Sequence, residues 1–379
     1  MSEKHPDVGG RMVDRRSFLR SAAALCTGIN GFAWTQATPR PIIDTSALKN
    51  AAHRSGIILA TYTGMYQLLY EPIASAMIAD SFSMIAIGND LKFSDRLRPT
   101  PDSFDFIFGD TDVSWAETHN LLVRGHCLVW WNALPLWFKS YVTAANARQV
   151  MTHHITTVVK HYAGRMYAWD VVNEALHKDG RPDLLGRRPW LDLIGPEYID
   201  IAFHTASEAD PKARLILNQC YIEHSTPAEL ENRAALLALA TKLKKNAVPI
   251  TGIGVQGHLR GATPLDKEGM TTFCKQVRDL GLEIMITELD VDSVNVSGPL
   301  LDQTAASQCG AFLDVMAPYV TVITLEALRQ EPSMPKQADG QRPYSNLFDG
   351  SYKPTPSYYA TLQALERSPS LNVTQRPHQ

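Results

Sequence analysis

Two short stretches hold residues that can do chemistry together. Trp169-Asp170-Val171-Val172-Asn173-Glu174-Ala175-Leu176 begins as an apolar, β-branched run and then delivers an amide and a carboxylic acid. Ile284-Met285-Ile286-Thr287-Glu288-Leu289-Asp290 has the same design. Runs of this kind read as buried strands. In parallel α/β folds, side chains at the C-terminal ends of strands face the ligand cleft. Glu174 and Glu288 are therefore expected as a pair of carboxyl groups over one cleft.

The elements that must position them follow from the rest of the pattern. Strands are predicted over 56–62, Met84–Ile87, 121–126, 169–176, 214–218, 253–256, 284–290 and 320–325. Helices are predicted over Ser46–Arg54, 68–80, 111–120, 144–162, 196–209, Pro227–Lys245, 267–280, 302–316 and 356–366. Eight alternations of strand and helix favour a closed (β/α)8 barrel of the TIM type as a single α/β domain over 38–367. A doubly wound sheet is the alternative, because periodicity does not show closure. No linker or internal boundary divides the chain.

Polar residues gather where these strands end. Asn89 and Lys92 follow the second strand, His126 and Trp130 the third, and Asn173 and Glu174 the fourth. Asn218 follows the fifth, Gln256 and His258 the sixth, and Glu288 and Asp290 the seventh. Each alone reads as an ordinary capping or structural group; their clustering at strand ends points to a site. Two glutamates with amides, histidines and tryptophans, without a phosphate-binding glycine loop, suit glycoside hydrolysis. One carboxyl protonates the leaving oxygen, and the other attacks or stabilises the anomeric carbon. Aromatic rings offer flat faces to sugars.

Composition excludes several other classes. The chain has 379 residues, 45% hydrophobic and 20% charged, as expected of a globular protein with a large core. A formal net charge of -3 gives no electrostatic footprint for nucleic acid. No apolar run reaches the roughly 20 residues of a membrane span. Asp14-Arg15-Arg16-Ser17-Phe18-Leu19-Arg20, a weakly apolar stretch and Thr35-Gln36-Ala37 read as a bacterial twin-arginine signal over 1–37, implying export to the periplasm or medium. Leu25 before Cys26 is too large for a lipoprotein cleavage box. Cys127, Cys220, Cys274 and Cys309 lack metal or redox spacing and read as buried thiols. His153 and His154 are adjacent on a predicted helix and point to different faces, and with His161 they make no metal motif. No cofactor or metal is expected, the partner is a carbohydrate, and a monomer with a loose tail over 368–379 is expected. The sequons at Asn295 and Asn372 carry no weight in a chain with such a signal.

At this point the sequence resembles glycoside hydrolase family ten, the xylanase family. The matching stretches are Arg124-Gly125-His126-Cys127-Leu128-Val129-Trp130, the Trp169 and Ile286 strands, Gly252-Ile253-Gly254-Val255-Gln256-Gly257-His258-Leu259, and Leu347-Phe348-Asp349-Gly350 onward to Tyr359. The resemblance implies a retaining mechanism, with Glu174 as acid/base, Glu288 as nucleophile and a carboxyl separation of about 5–5.5 Å. It also implies that Asn173 binds the 2-hydroxyl, that His258 holds Glu288, and that Asp290 orients His258. Gln256, His126, Asn89 and Lys92 would line the glycone side, with Trp130, Trp131 and Glu326 also against the sugar.

The departures from that pattern are concentrated. Gly88 stands where the family has a glutamate, Phe93 and Glu326 where it has tryptophans, Trp131 where it has a histidine, Ala133 where it has a glutamine, and Gln219 where it has an aspartate. Met334 aligns with a further tryptophan. These positions are expected to shape the glycone subsites, so the substrate need not be plain xylan. Loss of a tryptophan opens space for a hydroxymethyl group, and Glu326 would meet hydroxyls or a cationic sugar. The alternative is a catalytically inactive carbohydrate-binding barrel.

Overall fold

The computed structural model describes residues 46–176, 185–186, 189–292, 300–329 and 344–369. The expected targeting segment over 1–37, the sequons at Asn295 and Asn372, Met334 and most of the tail over 368–379 lie outside them. In chain order the first half comprises α1 (Ser46–Arg54), β1 (Ile58–Thr63), α2 (Met65–Tyr70), α3 (Pro72–Ser81), β2 (Met84–Ile87), α4 (Ile107–Thr118), β3 (Leu122–Val129), α5 (Phe138–Tyr141), α6 (Ala147–His161) and β4 (Ala168–Asn173). Then follow α7 (Pro189–Ile194), α8 (Tyr198–Ala209), β5 (Arg214–Gln219), α9 (Pro227–Lys245), β6 (Gly252–Val255), β7 (His258–Arg260), α10 (Lys267–Asp279), β8 (Glu283–Asp292), α11 (Leu300–Met316), β9 (Val322–Leu325), β10 (Tyr344–Ser345) and α12 (Pro356–Arg367).

Eight parallel strands pair in the order β1, β2, β3, β4, β5, β6, β8, β9, and β9 returns to β1 through Ile58↔Val322 and Thr61↔Leu325. The barrel is closed, which decides against the doubly wound alternative. Two short strands lie outside this cycle. β7 runs parallel to the end of β8 through His258↔Asp290, and β10 pairs antiparallel with it. The single helix expected over 68–80 is two helices. Pro72 has no N–H to continue α2 and instead opens α3 at its first turn.

Strand alternation sorts side chains between two cores. Leu59, Ile85, Val123, Trp169, Leu215, Ile284 and Ile323 face the helices. Ala60, Met84, Ala168, Ile216, Met285 and Val322 form a separate apolar plug inside the barrel. Burying each of the larger ones, Met84, Ile216, Met285 and Val322, stabilises the fold by ~1.5–3 kcal/mol. Trp169 needs its neighbour to be glycine, because a Cβ on Gly125 would lie 2.2 Å from its ring. Above the plug the same inward positions turn polar, with Arg124, Asp170, Asn218 and Thr287 all buried. That polar layer is the floor of the site.

Candidate active site

The strand ends converge on two adjoining cavities. One, of about 350 Å³, is lined by Glu174 and Glu288 together with Asn173, His258, Asp290 and Trp130. The other, of about 430 Å³, shares Lys92, His126, Glu288 and Glu326 with it and extends along Tyr62, Tyr66, Gln67, Glu71, Gly88 and Asn89. The two carboxyl groups expected from sequence thus face one space.

Glu174 is held from three sides. Its backbone leaves β4 in the left-handed region (φ 53), a conformation that costs a non-glycine residue about 1–3 kcal/mol. A 2.8 Å hydrogen bond from Glu174 N–H to the Asn218 carbonyl holds that turn. The Nε1 atoms of Trp130 and Trp131 both donate to Oε2 at 2.9 Å. Gln256 Nε2 donates to Oε1 at 3.2 Å.

Glu288 sits in a cationic cradle. Asn218 Nδ2 donates to its Oε1 at 2.7 Å, and His258 Nε2 lies 3.4 Å from Oε2. His258 Nδ1 is 2.8 Å from Asp290 Oδ1, and His126 Nδ1 is 4.0 Å from Glu288 Oε1. Burial alone pushes the Glu288 carboxyl up. The His258 hydrogen bond, with the charges of His126, His258 and Arg124, more than reverses this and holds it far below the usual carboxylate range. Burial works against the His258 cation too, and Asp290 with Glu288 carries it well above the usual histidine value. His126 is likewise lowered by burial and raised more strongly by Cys127, by its hydrogen bond to Asp170 and by Glu288, to about 10.

Beneath these groups runs a buried network. Arg124 pairs with Asp170 and donates to the Thr287 carbonyl at 2.7 Å. Thr287 Oγ1 donates to Asn218 Oδ1 at 2.6 Å, which turns the Asn218 amide so that its nitrogen reaches Glu288 and, at 2.8 Å, Asn173 Oδ1. Gly254 is needed beside it, since a Cβ there would lie 2.3 Å from Asn218 Oδ1. The carboxyl groups are therefore linked through Gln256, Asn173 and Asn218. Sequence reasoning placed Asn218 in the strand-end cluster without a specific role, and gave none to Arg124, Asp170 or Thr287. The signal available was register: Asp170, Asn218 and Thr287 each stand two residues beyond an inward-facing plug residue, Ala168, Ile216 and Met285.

In the second cavity, on the side expected to hold the glycone, Lys92 Nζ donates to Asn89 Oδ1 at 3.0 Å and lies 4.9 Å from the Trp130 ring centroid. Glu326 lines both cavities, and burial, then the negative Glu288, pushes its carboxyl up to about 8. Several expected wall residues lie elsewhere. Gln256 is fully buried and supports Glu174 and Asn173 instead of lining either cavity. Trp131 meets Glu174. Phe93 is a core residue stacked on His154 and Trp190. Gln219 is buried and grips the backbone of Leu176, accepting from its N–H at 3.1 Å, so it fixes the segment after Glu174.

Glu223, His224 and Glu229 bring potential metal-ligating atoms within 4.8 Å of one another. Those atoms are already engaged. Glu223 accepts from the N–H groups of Ile222 and Gly257, His224 bonds Glu229 at 3.0 Å and accepts from Arg260 N, and Glu229 Oε1 faces the Arg260 guanidinium at 3.5 Å. The cluster ties the loop after β5 to the β6–β7 junction. Cys127, Cys220, Cys274 and Cys309 are buried free thiols. No helix among the described residues is long and apolar enough to cross a membrane.

Comparison with known proteins places this site in a family. The model of glycosyl hydrolase family 10 matches residues 47–364. Endo-1,4-beta-xylanase 2 of Claviceps purpurea is 35% identical over 294 residues, covering 78% of this chain and 83% of that protein. Exoglucanase XynX of Acetivibrio thermocellus is 30% identical over 328 residues, covering 78% of this chain but 29% of that longer protein. The crystal structure of native xylanase 10B from Thermotoga maritima superposes with a TM-score of 0.75 at 31% identity, covering 84% of this chain and 98% of that one. Xylanase 10B from Thermotoga petrophila RKU-1, solved in complex with xylobiose, gives the same TM-score at 32% identity, covering 84% of this chain and 97% of that one. The chain belongs to glycosyl hydrolase family 10.

Proposed function

We propose that this family member is a retaining β-glycoside hydrolase, with Glu288 as nucleophile and Glu174 as acid/base, and that its glycone pocket is not built for plain xylan. The observation that carries the reading is the placement of both carboxyl groups over one cavity, joined through the Gln256–Asn173–Asn218 amides.

The chemistry follows from the contacts. Glu288 is kept anionic by His258, His126 and Arg124, so an oxygen lone pair is ready to attack C1. Both acceptor sites of Glu174 Oε2 are filled by indole N–H groups, which leaves Oε1 with room for the proton. As the C1–O bond breaks, Glu174 gives that proton to the leaving oxygen, and a Glu288 glycosyl ester forms. Glu174, now anionic, takes a proton from water, whose oxygen attacks C1 and returns Glu288. Asn173, fixed by Asn218 and Gln256, binds the 2-hydroxyl. His258, fixed by Asp290, keeps Glu288 in line.

The case against plain xylan rests on Gly88 and Glu326, which line the glycone side where the resembled pattern has a glutamate and a tryptophan. Export through the twin-arginine-like segment, a catalytic domain over 38–367 and a monomeric state belong to the same proposal. The test is proton NMR of the first sugar released from an aryl β-glycoside. The β-anomer is expected before mutarotation, and the α-anomer would rule out the double displacement. No release from any glycoside, with glycan binding retained, would favour a binding barrel.

A further inference from the structure

We propose that Glu326 sets the specificity of the glycone site by hydrogen-bonding a hydroxymethyl group on C5, so that the protein acts on β-hexopyranosides in preference to xylosides. This rests on the retaining reading above and names the substrate class of that same site.

The geometry comes from the barrel and from the sugar ring. β4 and β9 are four strands apart in the closed cycle of eight, so they form opposite walls. Asn173 ends β4, and Glu326 follows β9 with its N–H donating to the Leu289 carbonyl at 3.1 Å, beside Glu288 and Asp290. The reacting C1 must meet Glu288, and the 2-hydroxyl meets Asn173. In a six-membered pyranose ring the atom opposite C2 is C5. The wall that meets C5 is therefore the β9 wall. A xyloside presents only hydrogens there, and a hexoside presents a CH2OH arm.

That wall offers what such an arm needs. Glu326 and Ala327 both line the two cavities, so a carboxyl group and a methyl group stand there. Glu326 Oε2 is buried and has no hydrogen-bond partner among the described residues. The residue as a whole is part-buried and lines both cavities, so the cavity-facing part of its carboxyl is what a hydroxyl meets. Across the second cavity Gly88 contributes no side chain, and Tyr62 already occupies its Cβ direction at 3.2 Å.

Charge selects a neutral partner. The groups around Glu326 are Glu288 and Asp290 on one side of the balance and His126 and His258 on the other, and burial keeps Glu326 protonated at neutral pH. A protonated carboxyl has one donor and an acceptor, which a hydroxyl complements in both directions. The cationic His126 and His258 face an ammonium sugar and the anionic Glu288 and Asp290 face a uronic carboxylate, so neither charge is favoured over a neutral arm.

The experiment compares kcat/KM for 4-nitrophenyl β-cellobioside and β-xylobioside, with the corresponding monosaccharides, in the full chain and in Glu326→Gln and Glu326→Ala. The wild type should prefer the hexosides. Glu326→Ala should lower the hexoside-to-xyloside ratio of kcat/KM about 10–100-fold, the scale of one buried hydrogen bond left unmade. Glu326→Gln, which keeps a neutral donor and acceptor, should retain most of the ratio and guards against misfolding of the alanine variant. A wild type that cleaves xylosides faster, or variants that lose both substrates equally, would overturn the inference while leaving the hydrolase reading intact. No release from any substrate would overturn both. Cleavage of a β-glucosaminide or β-glucuronide ahead of the neutral hexosides would also contradict it.

Discussion

The indole N–H of Trp131 lies 2.9 Å from Glu174 Oε2, beside an equal contact from Trp130. Trp131 replaces a histidine of the resembled pattern, yet it touches the acid and not the sugar wall. Trp131→Phe keeps the ring and removes the donor. Its kcat/KM should fall about tenfold on glycosides with poor leaving groups, whose departure needs Glu174, and little on dinitrophenyl glycosides. A plot of rate against leaving-group pKa checks this; equal losses on all leaving groups would assign Trp131 to binding instead.

Gly254 should be as sensitive as a catalytic residue, although it touches no substrate. A Cβ there meets Asn218 Oδ1 at 2.3 Å and Thr287 Cγ2 at 2.9 Å, and Asn218 is what Glu288 and Asn173 share. Gly254→Ala should lower kcat on the order of 100-fold, the scale of a roughly 1 Å misplacement, with the circular dichroism spectrum unchanged. Unchanged turnover would show that Asn218 is not needed where it stands.

Arg124 and Asp170 form an ion pair that is wholly buried in the barrel. Removing Arg124 leaves only His126 to balance the buried Asp170 charge. Arg124→Met should cost ~3–5 kcal/mol, read from the denaturant midpoint. A loss below about 1 kcal/mol would mean that His126, which also bonds Asp170, balances the carboxylate alone.

Glu326 gives stability a pH dependence of definite sign. Its carboxyl is raised to about 8 in the folded chain, by burial first and then by Glu288 and Asp290, against the opposing effect of His258 and His126. From the ordinary carboxyl range up to that value the folded chain holds a proton that the unfolded chain has lost. Its contribution is therefore fully present at low pH and is lost as pH rises toward 8. Glu326→Gln removes this slope, so its Tm should gain on the wild type between pH 5 and pH 8.5. A constant Tm difference across that range would contradict the assignment.

Much of the site is legible in the sequence. A parallel barrel brings strand ends together, so Glu174, Asn173, Glu288, His258 and Asp290 could be read as one cluster from position alone. What strand position does not carry is which way a loop residue turns. Phe93 and Gln219 read as pocket wall and are buried behind it, whereas Trp131 reads as wall and reaches the acid. The floor was invisible for another reason. Arg124, Asp170 and Thr287 look like unrelated strand residues until closure puts them at one level with Asn218, where each satisfies the next. The single helix expected over 68–80 overlooked Pro72, whose missing N–H divides it in two.

The central claim is that Glu288 forms the covalent intermediate while Glu174 handles the proton. Incubation with a 2-deoxy-2-fluoro aryl β-glycoside, which slows turnover of the ester, followed by peptide mass spectrometry, tests it most directly. The prediction is one fluoroglycosyl unit per chain, attached to Glu288, with no labelling of Glu288→Ala. A label on Glu174, or full turnover with no intermediate at any residue, would contradict the account.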